Sequence, residues 1–345
     1  MLRVTLFGSI NKGSTDGKSF EPARDLPSLA GKVVLITGAA GDLGRQTAIE
    51  LSRHGRPAKI YIADLPREES EKAGLIAHVI GEAYAGREDD PSTRSVIRFI
   101  DLDLTSFSSV RACVAEFLSK EDRLDILVLN AGVIRVPPLT TTEGYELHFG
   151  LNYLGHALLA RLLIPIMRRT AQRIEKGEES SPVSPCGNQD VRIVVVSSEG
   201  HAVAPKEGIR YSSLKTSCSE MSYAQRYGQS KLALIGLMRG LTSRYPNIKS
   251  VAVHPGRILT GMAESLRKES LLARITTPIA PLICVPVTVG VRNHLWAATS
   301  NDIVSGMYYE PVGVPVRPSK AAQDEKLTDI LWGWTSNELK GLDVV

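Results

Sequence analysis

The 345-residue chain is predicted to fold as one α/β domain, a doubly wound parallel sheet of about seven strands. Three observations carry that prediction. Short β-branched runs recur along the chain, longer amphipathic stretches separate them, and the first run stops at a glycine-rich turn. Strands buried on both faces read as continuous apolar runs, and strands alternating with helices imply parallel crossover connections.

The runs are KVVLIT (32–37), AKIYIA (58–63), VIRFID (96–101), DILVLN (125–130), VRIVVVS (191–197) and KSVAVH (249–254), with a seventh strand expected at VSGMYY (304–309). Helices are expected in stretches such as 43–54, 106–119, 143–168 and 222–244. Residues 1–30 are polar and rich in Gly, Ser and Pro, and read as an N-terminal arm, leaving 31–345 as the folded domain. Residues 170–190 read as a polar surface insertion. Two elaborations, 199–222 and 257–345, follow strand ends, and the apolar content of 199–222 and 257–291 suits a substrate pocket. No internal repeat or interdomain linker divides the chain.

Composition narrows the function. With 41 basic and 37 acidic residues the net charge is +4, and the basic residues are scattered, which is no footprint for nucleic acid. Cys113, Cys186, Cys218 and Cys284 lie far apart, without ligand spacing, so neither a metal site nor a disulfide framework is expected. The opening MLRVTLFGSINKG lacks the pattern of a secretory signal, and the expected location is cytoplasmic. Ile275 to Val291 is uncharged for 17 residues, but Pro278, Pro281 and Pro286 interrupt it, so neither a spanning helix nor membrane contact is expected.

The first run ends in Thr37-Gly38-Ala39-Ala40-Gly41-Asp42-Leu43-Gly44. Glycines at a strand-to-helix turn let the backbone approach a pyrophosphate, and the helix N-terminus presents unpaired N–H groups to it. Asp64 ends the second run, 20 residues past Gly44. A carboxylate there accepts hydrogen bonds from ribose hydroxyls and repels a 2′-phosphate, which favours NAD over NADP. Arg45 and Arg67 are close enough in sequence to blunt that preference.

Tyr227 and Lys231 are four residues apart and share one helix face. A nearby ammonium is expected to lower the phenol pKa from its ordinary ~10. Polar or glycine residues also end successive strands. Asn130-Ala131-Gly132 follows the fourth, Ser197-Ser198 the fifth and His254-Pro255-Gly256 the sixth, while Asn152 lies in the long helical stretch. An open parallel sheet binds its ligands at that edge.

These segments together resemble the short-chain dehydrogenase/reductase family. TGAAGDLG (37–44), Asp103-Leu104, NAG (130–132), Asn152, Ser198, YGQSK (227–231) and PGRILT (255–260) occur in the family's order, across roughly two-thirds of the chain. EGYELHFGLNYLGHALL (143–159) and SSEGH (197–201) are similar to the retinol-dehydrogenase-like branch, and the leader and tail resemble its fungal members. The resemblance implies a Rossmann-type fold and hydride transfer between a nicotinamide cofactor, NAD or NADP, and a lipophilic alcohol or ketone. A fungal secondary-metabolite intermediate is one such substrate. It implies that Tyr227 transfers the proton, Lys231 tunes it and holds the nicotinamide ribose, Ser198 bonds the reacting oxygen, and Asn152 anchors a water relay. It further implies that Asp103 and Leu104 border the adenine, Asn130, Ala131 and Gly132 line the cleft, and Pro255, Gly256 and Thr260 lie near the carboxamide. Relatives often pair into homodimers through helices that include the one bearing Tyr227.

This chain departs from the family pattern in three places. Asp42 stands where the usual loop has its middle glycine, so Gly41 is read as the central glycine instead. Leu65 stands where many retinol-dehydrogenase-like members carry a phosphate-binding arginine. Ser198 and Tyr227 are 29 residues apart, wider than in many relatives. Either Ser197 or Ser198 could point inward on sequence alone, and Arg257 reads equally as a ligand contact or a solvated side chain. His156, His201 and His254 lack ligand spacing and read as structural. Two other readings of the same residues are a dinucleotide-binding sensor without redox chemistry and a fold reused for dehydration, isomerisation or cyclisation.

Overall fold

A computed structural model describes residues 19–87, 90–178, 190–258 and 284–342. Seven strands run parallel and an eighth closes the edge: β1 (Val33–Thr37), β2 (Lys59–Asp64), β3 (Val96–Asp101), β4 (Ile126–Leu129), β5 (Arg192–Val196), β6 (Lys249–Val253), β7 (Tyr308–Glu310) and antiparallel β8 (Val314–Pro315). Their order across the sheet is β3-β2-β1-β4-β5-β6-β7-β8. The predicted strands agree within a residue or so at most ends. The seventh is shorter than VSGMYY, and β8 was not foreseen because two residues carry no periodicity.

The longer helices among the described residues are α1 (Asp42–Glu50), α2 (Glu69–Tyr84), α3 (Phe107–Lys120), α4 (His156–Glu175), α5 (Tyr223–Arg244), α6 (Val287–Thr299) and α7 (Glu325–Glu338). Alternation along β1 shows why its sequence is apolar throughout. Val33 and Leu35 join a core with Val110 of α3, Leu158 of α4 and Leu234 of α5, whereas Val34 and Ile36 join a second core with Ala48 of α1, Val79 of α2 and Leu295 of α6. β1 therefore needs apolar side chains of both parities.

Several segments extend the sequence reading. Residues 19–30, assigned from sequence to the arm, carry Phe20 and Leu29 into the second core, and Leu29 packs against Gly55. α4 continues to Glu175, into the stretch read as an insertion, and follows a widened, i to i+5 helical turn over Phe149–Gly155. Among the described residues one helix, Phe149–Glu175, is long and apolar enough to cross a membrane, and 83% of its most apolar window is buried inside the protein. Of the uncharged stretch 275–291, residues 275–283 lie outside the described residues, Val285 bridges Ile258, and Val287 starts α6. The C-terminal α7 packs on α5. A side chain on Gly240 would sit 2.3 Å from the Trp332 ring, and one on Gly236 would sit 2.7 Å from Leu331.

Candidate active site

β1 and β4 are neighbours from which the chain runs outward in opposite directions, and a cleft of about 850 Å³ opens at their C-terminal ends. This is where the geometry of an open parallel sheet makes room for a ligand. The walls are Gly38 and Ala40 to Gly44 from the first turn, Ala63 to Leu65 and Arg67 after β2, Leu102 to Thr105 after β3, and Asn130 to Val133 after β4, with Leu147 and Leu151. The predicted Gly38, Gly41, Asp42, Leu43, Gly44, Asp64, Asp103, Leu104, Asn130, Ala131 and Gly132 all line it. Leu102, Thr105, Val133, Leu147 and Leu151 join them with no motif to announce them. Thr260 lies outside the described residues.

The glycines of the turn serve different ends. Gly38 has φ +67°, and a Cβ there would lie 2.8 Å from the Ala131 Cα. A Cβ on Gly44 would lie 2.5 Å from the Gly38 carbonyl oxygen and 2.7 Å from the Asn130 amide. Gly41 is different, because its Cβ would meet nothing nearer than the Gly38 oxygen at 3.4 Å, an ordinary contact. Gly41 is also the N-cap of α1, and no side chain caps that end. The turn thus leaves a smooth backbone and uncapped N–H groups facing the cleft, which fits a pyrophosphate. Thr37 lies just behind, its hydroxyl accepting hydrogen bonds from the amides of Asn130 (2.9 Å) and Ala131 (3.0 Å).

The two acids beside the turn are both engaged. Asp42 sits 3.7 Å from Arg45, in the first turn of α1, where the helix dipole favours an acid. Asp64 accepts from the backbone N–H of Ala40 at 2.8 Å and of Leu65 at 2.9 Å, and lies 3.7 Å from Arg67. Asp64 therefore braces the turn as well as lining the cleft. After β3, Asp103 accepts from the amide (2.8 Å) and hydroxyl (2.7 Å) of Thr105.

On the other side of Gly132 the residues of α5 and the widened turn converge. A Cβ on Gly132 would be 3.3 Å from Asn152 Oδ1 and 3.4 Å from Lys231 Nζ. Lys231 donates to the Val196 carbonyl at 2.9 Å, and its ammonium lies 5.6 Å from the centre of the Tyr227 ring. Ser222 caps α5 in a reciprocal box with Gln225, which starts the helix one turn before Tyr227. The Asn152 side chain is engaged at both ends. Its oxygen accepts from Val133 N (2.8 Å), and its amide donates to Val133 O (3.2 Å) and to Ser230 Oγ (2.9 Å). Its main-chain carbonyl lies 2.8 Å from His156 Nδ1 and has a second lone pair with which to hold a water.

The choice between the two serines follows from their partners. Ser197 donates to the Lys231 carbonyl at 2.8 Å and is buried, whereas the Ser198 side chain interacts with the Tyr227 hydroxyl. Ser198 also accepts from Gly200 N at 3.1 Å, leaving its own proton to donate. Gly200 and Gly228 are required here. A Cβ on Gly200 would be 2.8 Å from the Tyr227 ring, and one on Gly228 would be 2.8 Å from the Gly200 oxygen. Their signal in the sequence was a glycine on each side of the pair, SSEGH and YGQSK, read as family likeness rather than as close packing.

The electrostatics differ from the sequence expectation. Burial raises the Tyr227 hydroxyl above its ordinary value, and the interaction with Ser198 lowers it only in part. Burial also pushes the Lys231 ammonium down to about 8. Desolvation disfavours both charged forms and is the leading cause of each shift. Arg257 is solvent-exposed and pairs with Glu199 at 2.6 Å. Gly256 takes φ +90°, so the Pro255-Gly256 turn after β6 needs its glycine. Among the described residues no group of His, Cys, Asp or Glu is arranged to hold a metal ion.

A cleft at the sheet's switch point, beside a buried lysine and a half-buried tyrosine and serine, defines an oxidoreductase that uses a nicotinamide cofactor. The chain belongs to the short-chain dehydrogenase/reductase family, whose "short chain dehydrogenase" model matches residues 32–224. It is 36% identical over 294 residues to an uncharacterized oxidoreductase of Schizosaccharomyces pombe, covering 84% of this chain and 79% of that one. It is 33% identical over 323 residues to mouse retinol dehydrogenase 12, covering 91% and 88%. A solved structure of an uncharacterized protein from Mycobacterium paratuberculosis superposes with a TM-score of 0.63 at 27% identity, covering 91% of this chain and 96% of that one.

Proposed function

We propose that the chain moves a hydride between a nicotinamide dinucleotide and a lipophilic alcohol or ketone, with Tyr227 carrying the proton. The observation that supports this most directly is the placement of Lys231 Nζ and Asn152 against Gly132, a residue of the cleft wall. When bound, the nicotinamide ring supplies or accepts the hydride. Tyr227 holds the proton at the substrate oxygen, giving it in reduction and taking it in oxidation. Ser198 donates a hydrogen bond to that oxygen, where charge develops. Lys231, anchored on Val196, has donors left for the ribose and returns a proton to Tyr227 through water on the Asn152 carbonyl. Gly38 to Gly44 hold the pyrophosphate, Asp103 and Leu104 border the adenine, and Pro255 and Gly256 flank the carboxamide.

NAD is the favoured dinucleotide, because the Asp64 carboxylate lines the cleft where a 2′-phosphate would bring a second negative charge. The lipophilic substrate is supported by apolar side chains left in solvent on the segments beyond the strand ends: Leu139 after β4, Val203 after β5 and Tyr223 at the start of α5. An apolar fungal metabolite belongs to that class. The packing of Trp332 and Leu331 on Gly240 and Gly236 covers one face of α5, which supports a monomer over the homodimer implied by the family likeness. Buried Cys113 and Cys218, both free thiols, support a reducing, cytoplasmic setting.

The test follows absorbance of the reduced nicotinamide with a panel of apolar ketones and alcohols. Dinucleotide-dependent turnover of at least one member is expected. Product formed without any nicotinamide would favour dehydration, isomerisation or cyclisation, and tight dinucleotide binding with no turnover would favour a sensor.

A further inference from the structure

We infer that His156 is a positioning residue that ties the dinucleotide-binding turn to the main-chain carbonyl of Asn152. The inference rests on the reading of Tyr227 and Lys231 given above. His156 is wholly buried at the first residue of α4, directly after the widened turn Phe149–Gly155. Its Nδ1 lies 2.8 Å from the Asn152 carbonyl oxygen. A carbonyl can only accept, so Nδ1 carries the hydrogen. Its Nε2 lies 2.8 Å from the Thr37 hydroxyl. That hydroxyl already accepts from the amides of Asn130 (2.9 Å) and Ala131 (3.0 Å), so its own hydrogen is left to give. The Val128 carbonyl at 3.4 Å is the poorer taker, and Nε2 of the neutral ring receives the bond.

Every donor and acceptor in this chain of bonds is thereby assigned, with one tautomer. Burial keeps the ring neutral, holding its pKa down to about 4, so the same tautomer persists through the physiological range. The bonds run from the end of β4 through Thr37 at the end of β1 to His156, and from His156 to Asn152. A widened helical turn departs from the regular i to i+4 ladder and frees the carbonyls within it to point differently. His156 sets the direction of the Asn152 carbonyl. The Asn152 amide in turn holds Ser230, whose hydroxyl donates to the Tyr227 carbonyl at 2.7 Å. An apolar side chain of similar volume would fill the same space, but would leave the Thr37 hydroxyl and the Asn152 carbonyl without this partner and without its directionality.

The experiment compares His156→Leu, His156→Asn and His156→Gln with the parent and with Tyr227→Phe. It measures kcat at saturating dinucleotide with an apolar ketone, dinucleotide Kd by fluorescence titration, and Tm. The Asn amide keeps a donor near Nδ1, facing Asn152, whereas Gln keeps a polar group near Nε2, facing Thr37. The Leu variant is expected to lose about tenfold or more in kcat, as small misplacements at a reacting centre do, with dinucleotide Kd within about twofold. His156→Asn is expected to recover most of kcat and His156→Gln little of it. That ordering holds the prediction open to test even if the Leu variant does not fold. The inference is overturned if His156→Leu keeps its turnover, if Gln rescues as well as Asn, or if kcat, dinucleotide affinity and Tm fall together. Normal turnover by Tyr227→Phe would instead remove the reading of the site itself, whereas an inactive Tyr227→Phe beside an unimpaired His156→Leu would remove the positioning role alone.

Discussion

The ammonium of Lys231 lies 5.6 Å from the centre of the Tyr227 ring, one helical turn away on α5, and is fastened to the Val196 carbonyl at 2.9 Å. Strand β5 therefore sets the height of the lysine, and the helix sets its spacing from the phenol. Lys231 is buried and Tyr227 half-buried, and desolvation holds each toward its neutral form. A neutral phenol and a lysine near 8 are a donor and a reservoir poised for proton transfer near neutral pH.

Tyr227→Phe should lower kcat by ~10²–10⁴, the range general acid–base catalysis commonly contributes. Dinucleotide Kd should stay within about twofold, because the ring and its contact with Gly200 are kept. Single-turnover rates and a binding titration check this; turnover near the parent rate would refute the assignment.

Gly41 and Gly44 should separate binding from folding. Gly44→Ala forces a carbon to 2.5 Å from the Gly38 oxygen and should cost roughly 1–3 kcal/mol of stability. Gly41→Ala meets no such contact and should leave Tm nearly unchanged while weakening dinucleotide binding. Denaturant melts and titrations of both variants decide it, and equal effects on stability would show that the turn is shaped by packing alone.

Asp64→Asn removes charge while keeping an acceptor for Ala40 N. The ratio of NADPH to NADH affinity should shift toward NADPH by roughly tenfold, about 1.4 kcal/mol of relieved like-charge repulsion. An unchanged ratio would place the determinant elsewhere.

Acid should unfold the protein earlier than its carboxylates alone would require. Burial holds His156 and His254 down to about 4 and His294 to about 3. In the unfolded chain these rings take up protons near their ordinary ~6.5, while the folded state refuses them. Their contribution to stability is complete above about 6.5 and is lost as pH falls through about 4. Each tenfold difference in proton affinity is worth roughly 1.4 kcal/mol, so the loss is large against an ordinary stability of ~5–15 kcal/mol. Melting temperature against pH tests this. A flat profile between pH 6.5 and 4 would show that the rings accept protons in place.

Much of the sheet was legible because its signal is local. β1 to β6 are β-branched runs ended by Gly, Asp, Asn, Ser or His, and the turn from Thr37 to Gly44 announces itself by composition. β8, the widened turn over Phe149–Gly155 and the packing of α7 on α5 carried no such mark. Nothing in the sequence singled out the cleft-lining Leu147 and Leu151, since a helix shows its apolar face in sequence but not what that face meets.

The order of residue types along the chain determined the layered α/β architecture, the cofactor-binding turn and the set Asn152, Ser198, Tyr227 and Lys231 as candidates. These follow from periodicity and from chemistry confined to a few neighbouring positions. Only the tertiary structure decided that Ser198 rather than Ser197 faces Tyr227, that Arg257 pairs with Glu199, that Asp64 braces Ala40, and that Tyr227 is shifted up rather than down. Burial and hydrogen-bond partners come from residues far apart in the chain, and they set both the direction of a side chain and the cost of its charge.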